Sequence, residues 1–475
     1  MAITNPLFLP EFREELASLL PTNDLARCVQ VSKSWCTSFE PFIWRTVEVR
    51  SSQPGLEPLL KHRGSIQHLT YRGTIPSKYC SIQYPALKTL EFTAIAYSAL
   101  EGFKILRILP NNPSLTRLKL QGDTPNISFE FSIPPSLSNL TSLNLTGIAI
   151  QPQVMSEFLK VLQQLETLEL HNCSLTEGWQ NKENLDNPPK GQWKLKNLVL
   201  AARFGMTSRQ QLAWIIQLDQ LRRLSWVIRA DFEYFPIEDF TRCLPYLTEL
   251  EDIHLGDSRA SDRQLSLIIQ GIQRVIGLAV TRAELDVRSK EALRPHFPWI
   301  RKLDISNSSG YVSKFVLEVL RSCPQLENLK TDKIHAGDCV DGTPWACDTS
   351  LKTLEVCFEV SQWERAEQQE VVMSKLARLK NLEVLDVSDR ESLENVLTVE
   401  FRLNRGLAQL SALTRLTTLT ITRTIQQSTQ DDVEWMIKHW RSLSEVNGKL
   451  HVGDLVESRL LAEKLGNAGV TNMRT

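Results

Sequence analysis

Across most of this 475-residue chain the apolar residues fall into one recurring phrase, L-x-x-L-x-L. It reads LTRLKL at 115, LTSLNL at 140, LETLEL at 165, LKNLVL at 195 and LRRLSW at 221. It continues as IRKLDI at 300, LENLKT at 326, LKTLEV at 351, LEVLDV at 382 and LTTLTI at 416. Weaker copies, IQHLTY at 66, LKTLEF at 87, LTELED at 247 and VIGLAV at 275, fill the gaps. That makes 14 units with a mean step of about 27 residues. The L-x-L end puts two apolar side chains on one face of a short strand. One such strand cannot bury that face alone, whereas stacked strands share a continuous core.

The step lies within the 20–29 residues of leucine-rich repeats. The predicted fold class is α/β: a leucine-rich-repeat solenoid with a curved parallel sheet inside and helices outside. Between phrases the apolar period becomes helical, as in Val154, Phe158, Val161 and Leu165, in Phe315, Val319 and Leu320, and in Leu376 with Leu379. The segments 183–193 and 335–350, rich in Gly, Pro, Asn and Asp, are predicted to emerge as loops at one rim. DDVEWMIKHWRSLSEVNGKLHV reads as one more helix and strand, and LVESRLLAEKLGNAG as a final helix capping the array.

Residues flanking the paired leucines are predicted to face away from the core, onto the concave side. The candidates for substrate binding are Arg117, Lys119, Glu169, His171, Arg223, Lys302, Asp304, Lys330, Asp332 and Asp386. Gln121, Ser306, Ser388 and Thr422 extend the same series. Strands about 4.8 Å apart would spread this surface over roughly 60 Å, enough for a folded protein or a long peptide.

Apolar residues make up 42% of the chain and charged residues 23%, and the net charge is −1, so nothing draws the whole chain to nucleic acid or membrane. Charge is uneven along it, however. Residues 190–230 carry eight bases (Lys190, Lys194, Lys196, Arg203, Arg209, Arg222, Arg223, Arg229) and one acid, and residues 231–262 carry nine acids and two arginines. Either the bases form a patch for an acidic or phosphorylated partner, or neighbouring repeats neutralise each other. No aromatic stripe accompanies the bases, which argues against nucleic acid. No apolar run is long enough to span a bilayer, and the start, MAITNPLFLPEF, has no basic region ahead of a long apolar one, so a signal peptide is not expected. Nine scattered cysteines without a C-x-x-C pair point to reduced thiols in cytoplasm or nucleus. No nucleotide, metalloprotease or hydrolase motif occurs, and His335, Cys339 and Cys347 match no common zinc spacing. No enzyme activity, cofactor or metal is expected.

The first fifty residues lack the leucine phrase. EFREELASLL carries apolar residues at helical spacing after Pro10, and Pro21 ends it. Asn23 is predicted to cap a second helix, DLARCVQV, and Ser32 a third, beginning KSWCTSF, which Pro41 closes. Pro10-Glu11, Leu16, Leu20-Pro21, Asp24-Leu25, Cys28, Val31-Ser32-Lys33, Trp35, Pro41 and Trp44-Arg45 follow in an order that resembles the F-box. The whole chain is similar to fungal F-box/leucine-rich-repeat proteins, with the motif over residues 6–48 and repeats over most of the rest. The resemblance implies a substrate receptor of an SCF-type ubiquitin ligase. Its F-box would join a Skp-type adaptor, and thereby a cullin scaffold, while the repeats hold a protein substrate. By the same resemblance Leu9, Pro10, Leu16, Leu20, Leu25, Val31 and Trp35 would form or support the adaptor face, and Trp44 would lock the third helix to the first repeat. Members of this type often carry apolar residues where this chain has Arg13 and Glu15, so the first helix is more polar. The implied organisation is an F-box module over 1–50, repeats over 51–452 and a cap over 453–475. The other reading is a leucine-rich-repeat interaction scaffold not coupled to ubiquitination.

Overall fold

The computed structural model describes residues 9–50, 55–73, 77–93, 107–122, 127–129, 137–150, 155–175, 193–201, 207–227, 236–256, 258–310, 312–389 and 397–473. Contacts divide the chain into two compact units, residues 1–221 and 222–475.

The first unit opens with three helices, α1 (Pro10–Leu19), α2 (Thr22–Cys28) and α3 (Lys33–Ile43). Pro10 occupies the first turn of α1, where its missing N–H costs nothing. α2 starts at Thr22, ahead of the expected Asn23 cap, because the Pro21 carbonyl already accepts from the Asp24 and Leu25 N–H groups, both at 3.0 Å. Ser32 caps α3 as expected, its hydroxyl oxygen accepting from the Trp35 N–H at 3.2 Å. Pro41 does not close α3 but lies inside it. A proline removes one helical hydrogen bond, and the last turn tolerates that loss.

Strands follow in chain order: β1 (Thr46–Arg50), β2 (His68–Arg72), β3 (Thr89–Thr93), β4 (Arg117–Gln121), β5 (Ile127–Phe129), β6 (Ser142–Thr146), β7 (Ile148–Ile150), β8 (Thr167–His171), β9 (Ser174–Leu175) and β10 (Asn197–Ala201). β1, β2, β3, β4, β6, β8 and β10 pair in parallel, each with the next. Leu69, Leu90, Leu118, Leu143, Leu168 and Leu198 thereby stand in one register column, and all are buried. Identical side chains at identical heights give each leucine a leucine of the next repeat to pack on, which is why the phrase must repeat in phase. β5, β7 and β9 form a second, short parallel ladder.

The second unit continues the pattern with β11 (Arg223–Val227), β12 (Asp252–Gly256), β13 (Gly277–Val280), β14 (Lys302–Asp304), β15 (Asn328–His335), β16 (Thr353–Glu359), β17 (Val384–Asp386), β18 (Thr418–Thr420), β19 (Glu445–Asn447) and β20 (Thr471–Met473). All pair in parallel in sequence order. The chain is thus an α/β leucine-rich-repeat solenoid, as its periodicity predicts. β12 begins later than LTELED implies: the working phrase is Leu250, Ile253 and Leu255, all buried, three residues further on. The predicted helices are present as Met155–Leu162, Val312–Ser322 and Arg365–Leu376. The tail holds the helix Leu455–Asn467 and also β20. There the apolar column ends, with Asn472 opposite Val446 and its side-chain amide donating to the Val446 carbonyl at 3.1 Å.

The segment expected as a rim loop, 335–350, leaves most of its residues exposed or half-exposed but is anchored inward by four side chains. Ala336, Cys339, Trp345 and Cys347 are buried, and the Ala346 N–H donates to the Leu320 carbonyl at 2.8 Å. Its small and apolar side chains fill the place a full helix takes elsewhere. Burial pushes the Cys339 thiol up to about 11 and that of Cys347 up to about 12. These cysteines are packing groups, as is Cys357 in β16. The other expected loop, 183–193, lies outside the described residues except for the buried Trp193.

Adjacent repeats in the second unit are also joined by a carboxylate. Asp262 accepts from the N–H groups of Asp286 (2.9 Å), Arg288 (3.1 Å) and Ser289 (3.0 Å) and from the Ser289 hydroxyl (2.6 Å). It caps the helix Val287–Leu293 of the following repeat. Burial opposes its ionisation, yet these donors outweigh burial and hold its pKa below the ordinary carboxylate value. Its stabilisation is complete above the unfolded carboxylate pKa of about 3.9 and is lost as pH falls through the lower folded value. Asp262→Ala should cost about 1–2 kcal/mol at neutral pH. Denaturant titrations should show the two proteins converging in stability as pH falls through that window.

Candidate functional site

Two surfaces carry the chemistry the described residues present: the outer side of the helical module, and the polar face of the long parallel ladder in each unit.

The module has a core of its own. Ala17, Leu25 and Phe39 are buried, and Leu16, Leu20, Cys28, Val29, Trp35, Phe42 and Ile43 pack around them. The Trp35 and Phe39 rings meet at 5.2 Å between centroids. Leu25 therefore supports the module from inside, while Leu16, Leu20 and Trp35 are half-buried. Leu9 and Val31 are exposed, and so are Phe12 and Leu19, which fall on the helical apolar spacing of EFREELASLL but were not among the residues expected at the adaptor face. Leu9, Phe12, Leu16 and Leu19 share a 3–4 spacing and so one helix face. Pro10 begins that helix.

Arg13 does not make this face polar. It is buried, and its guanidinium donates to the Ser34 carbonyl (3.2 Å), the Ser34 hydroxyl (2.9 Å) and the Ser38 hydroxyl (2.7 Å). Its place four residues before Ala17 turns it onto α3. Glu15 remains exposed. At the other end of the module, the Trp44 ring stacks on His62 at 4.4 Å and 7°. Glu40 adds Lys61 at 3.3 Å and His62 at 3.5 Å. Trp44 thus joins α3 to the helix Leu56–His62 of the first repeat.

In the first unit, Arg117, Lys119 and Glu169 stand on the open face between buried leucines and line one pocket of about 370 Å³. His68, Glu91 and Asn144 line it too. His68 and Glu91 were missed because their phrases, IQHLTY and LKTLEF, are weak copies; Asn144 lies in the strong phrase LTSLNL, at the open-face position between its last two leucines. The Asn144 amide donates to Glu169, and His171 lies 3.6 Å from the same carboxylate.

In the second unit, Arg223 pairs with Asp252 at 3.7 Å and Lys330 with Glu355 at 3.4 Å. Lys302, Asp304 and Asp386 occupy open-face positions. Ser306 and Ser388, expected beside them, are buried instead: β14 and β17 are only three residues long, and the N–H groups of both serines donate back to Asp304 and Asp386. Asp332 falls at a register shift in β15 between Lys330 and Lys333, so alternation fails there and Asp332 and Lys333 are both half-exposed. These two residues line a pocket of about 690 Å³ with Ser313, Lys314, His335 and Asp338. Its charges are mostly engaged: Lys333 with Asp389 at 3.6 Å, His335 with Glu359 at 3.0 Å, and Ser313 with Asp338 at 2.6 Å. Gly310 at its edge has φ +119°, and a Cβ there would lie 2.3 Å from the Leu285 carbonyl oxygen, so only glycine fits.

The basic run divides. Arg222 pairs with Glu249 at 3.6 Å and Lys196 with Glu166 at 3.3 Å, cancelling between neighbouring repeats. Lys190, Arg203 and Arg229 lie outside the described residues. Among the described residues no group of three or more His, Cys, Asp or Glu side chains is placed to hold a metal, and no helix is long and apolar enough to cross a membrane.

No family model matches the chain, and no curated protein does. Solved structures do. A leucine-rich-repeat protein of Leptospira interrogans is 14% identical, with 90% of this chain and 100% of that one covered and a TM-score of 0.37. The Drosophila Toll–Spatzle complex is 13% identical over 84% of this chain and 52% of that one, with a TM-score of 0.34. A complex of TLR13 with single-stranded RNA is 14% identical over 91% and 65%, with a TM-score of 0.31. This chain therefore spans about half the length of the chain it matches in that Drosophila complex. From its own strands and registers, the chain is a leucine-rich-repeat protein whose open polar face suits protein interaction.

Proposed function

We propose that this chain is the substrate-recognition subunit of an SCF-type, cullin–RING ubiquitin ligase. In this reading α1–α3 form an F-box that binds a Skp-type adaptor, and the open face of the repeats binds a protein substrate. The carrying observation is the module's own helical core together with its exposed apolar set Leu9, Phe12, Leu19 and Val31. An apolar face on a module that already has a full core fits a partner helix better than it fits solvent. The chain supplies position, not bond chemistry. A substrate held on the repeats is kept at high effective concentration beside the ubiquitin-charged enzyme that the adaptor recruits.

Co-purification with a Skp-type adaptor is the test. Phe12→Glu combined with Leu19→Glu should weaken adaptor capture by roughly 100-fold or more, since charges would enter a desolvated interface. Both side chains are exposed, so the module should keep its helices. No adaptor capture by the native chain, or undiminished capture by the double variant, overturns the reading. Substrate binding without adaptor capture would leave an interaction scaffold not coupled to ubiquitination.

A further inference from the structure

The first four strands of the sheet carry an excess of positive charge. Arg50, Arg72, Arg117 and Lys119 lie at open-face positions of β1, β2 and β4, and Arg45 and Lys88 immediately precede β1 and β3. Against these six bases stand two carboxylates in the same strands, Glu48 and Glu91. Glu48 is shared between Arg50 and Arg72, each at 2.7 Å, and Glu91 lies 3.9 Å from Lys119. Arg117 and Arg45 bond neutral acceptors, Thr89 Oγ1 at 3.2 Å and Gln67 Oε1 at 3.0 Å. Among the described residues no carboxylate pairs with Arg45, Lys88 or Arg117. The open face of β14–β17 has the opposite balance, with Asp304, Asp332, Glu355 and Asp386 against Lys302, Lys330 and Lys333.

Within this face lies the 370 Å³ pocket, lined by His68, Arg117 and Lys119 and by the hydroxyl-bearing Thr46, Thr89 and Ser142. Hydroxyls and a guanidinium are the donors an oxyanion needs. Burial first, then the charges of Arg117, Arg45 and Lys88 against that of Glu91, hold the pKa of His68 below the ordinary imidazole value. Two carboxylates, Glu91 and Glu169, also line the pocket. They would repel a doubly charged phosphoryl group more than a singly charged carboxylate.

We propose that the open face of β1–β4 receives an Asp/Glu-rich segment of the protein partner, with one carboxylate seated between His68 and Arg117. This deepens the proposed function by naming the chemistry of the substrate segment, and it rests on that reading only for the identity of the partner as a substrate.

Fluorescence anisotropy with the full chain tests it, using short labelled peptides of alternating Glu and Ser, the Gln and Lys counterparts, and a phosphoserine version. The Glu peptide should bind roughly tenfold more tightly than the Gln peptide, and should weaken steeply as salt shortens the screening length. Arg117→Ser should lose roughly tenfold, and its exposure lets the fold survive, which a melting curve checks. Lys438→Ser, exposed on the helix Gln430–His439, should leave affinity unchanged. Equal binding of the Gln peptide, indifference to Arg117→Ser, or preference for the phosphoserine peptide or for a single-stranded oligonucleotide overturns the proposal. Adaptor capture measured on the same protein separates the two readings. Its failure with peptide binding intact removes the ligase and leaves the acidic-segment site standing.

Discussion

Leu25→Asp should unfold the three-helix module while leaving the later repeats folded. Leu25 is 5% exposed and packs with Ala17 and Phe39 at the centre of a core built from about thirty-five residues. The substitution removes a buried isobutyl group, worth about 2–5 kcal/mol with its cavity. It also places a carboxylate among apolar groups with no cation beside it, adding several kcal/mol more. A module this small has little reserve, so a loss above about 4 kcal/mol exceeds what it can absorb. Hydrogen exchange followed by mass spectrometry should show peptides within residues 10–43 losing protection, with peptides across β13–β16 unchanged. Leu19→Asp, at a position 76% exposed, should keep native exchange. Native protection in the Leu25 variant would refute the core assignment. The contrast matters for function, because adaptor loss in a Leu25 variant reports unfolding, whereas loss in a Leu19 variant reports a contact.

The second large effect is expected at the other end of the chain. Trp440 is 1% exposed, its indole N–H donates to the Leu410 carbonyl at 3.0 Å, and its ring meets Trp435 edge-on at 5.6 Å. Trp440→Ala should cost about 3–5 kcal/mol for the cavity, and about 1 kcal/mol more for the carbonyl left without a donor. Because solenoid repeats are stabilised by nearest neighbours, the damage should stay local. Residues 407–473 should exchange early, as a separate low-denaturant transition, while β12–β15 hold. Trp440→Phe, which keeps most of the ring and loses the hydrogen bond, should cost about 1–2 kcal/mol. A single unchanged transition for the alanine variant would show that this end does not depend on the indole.

The repeats were legible wherever the phrase is strong, because each leucine's neighbours in space are leucines of the same phrase one repeat away. Leu118 can be placed without knowing the loop that leads to it. Arg13 could not be read that way. Its charge suggested a polar helix face, but its partners, Ser34 and Ser38, sit on another helix. Asp332 met a similar difficulty, since a single register shift in β15 moves a side chain off its face. The Gly- and Asp-rich composition of 335–350 signalled turns correctly, yet its cysteines and Trp345 were core. Small residues serve both purposes, and only the volume left by neighbouring repeats distinguishes them.

Sequence alone determined the parallel ladder, its leucine columns and the change of character over the first fifty residues. These follow from short-range periodicity, and a strand that alternates every two residues has only one face to bury. Tertiary structure alone decided where the polar groups meet: Arg117 and His68 around one pocket, Asp262 across two repeats, and Trp44 against His62. Those partners lie about 18 to 50 residues apart in the chain. Their approach depends on loop lengths and on the register of every strand between them, and neither quantity is periodic.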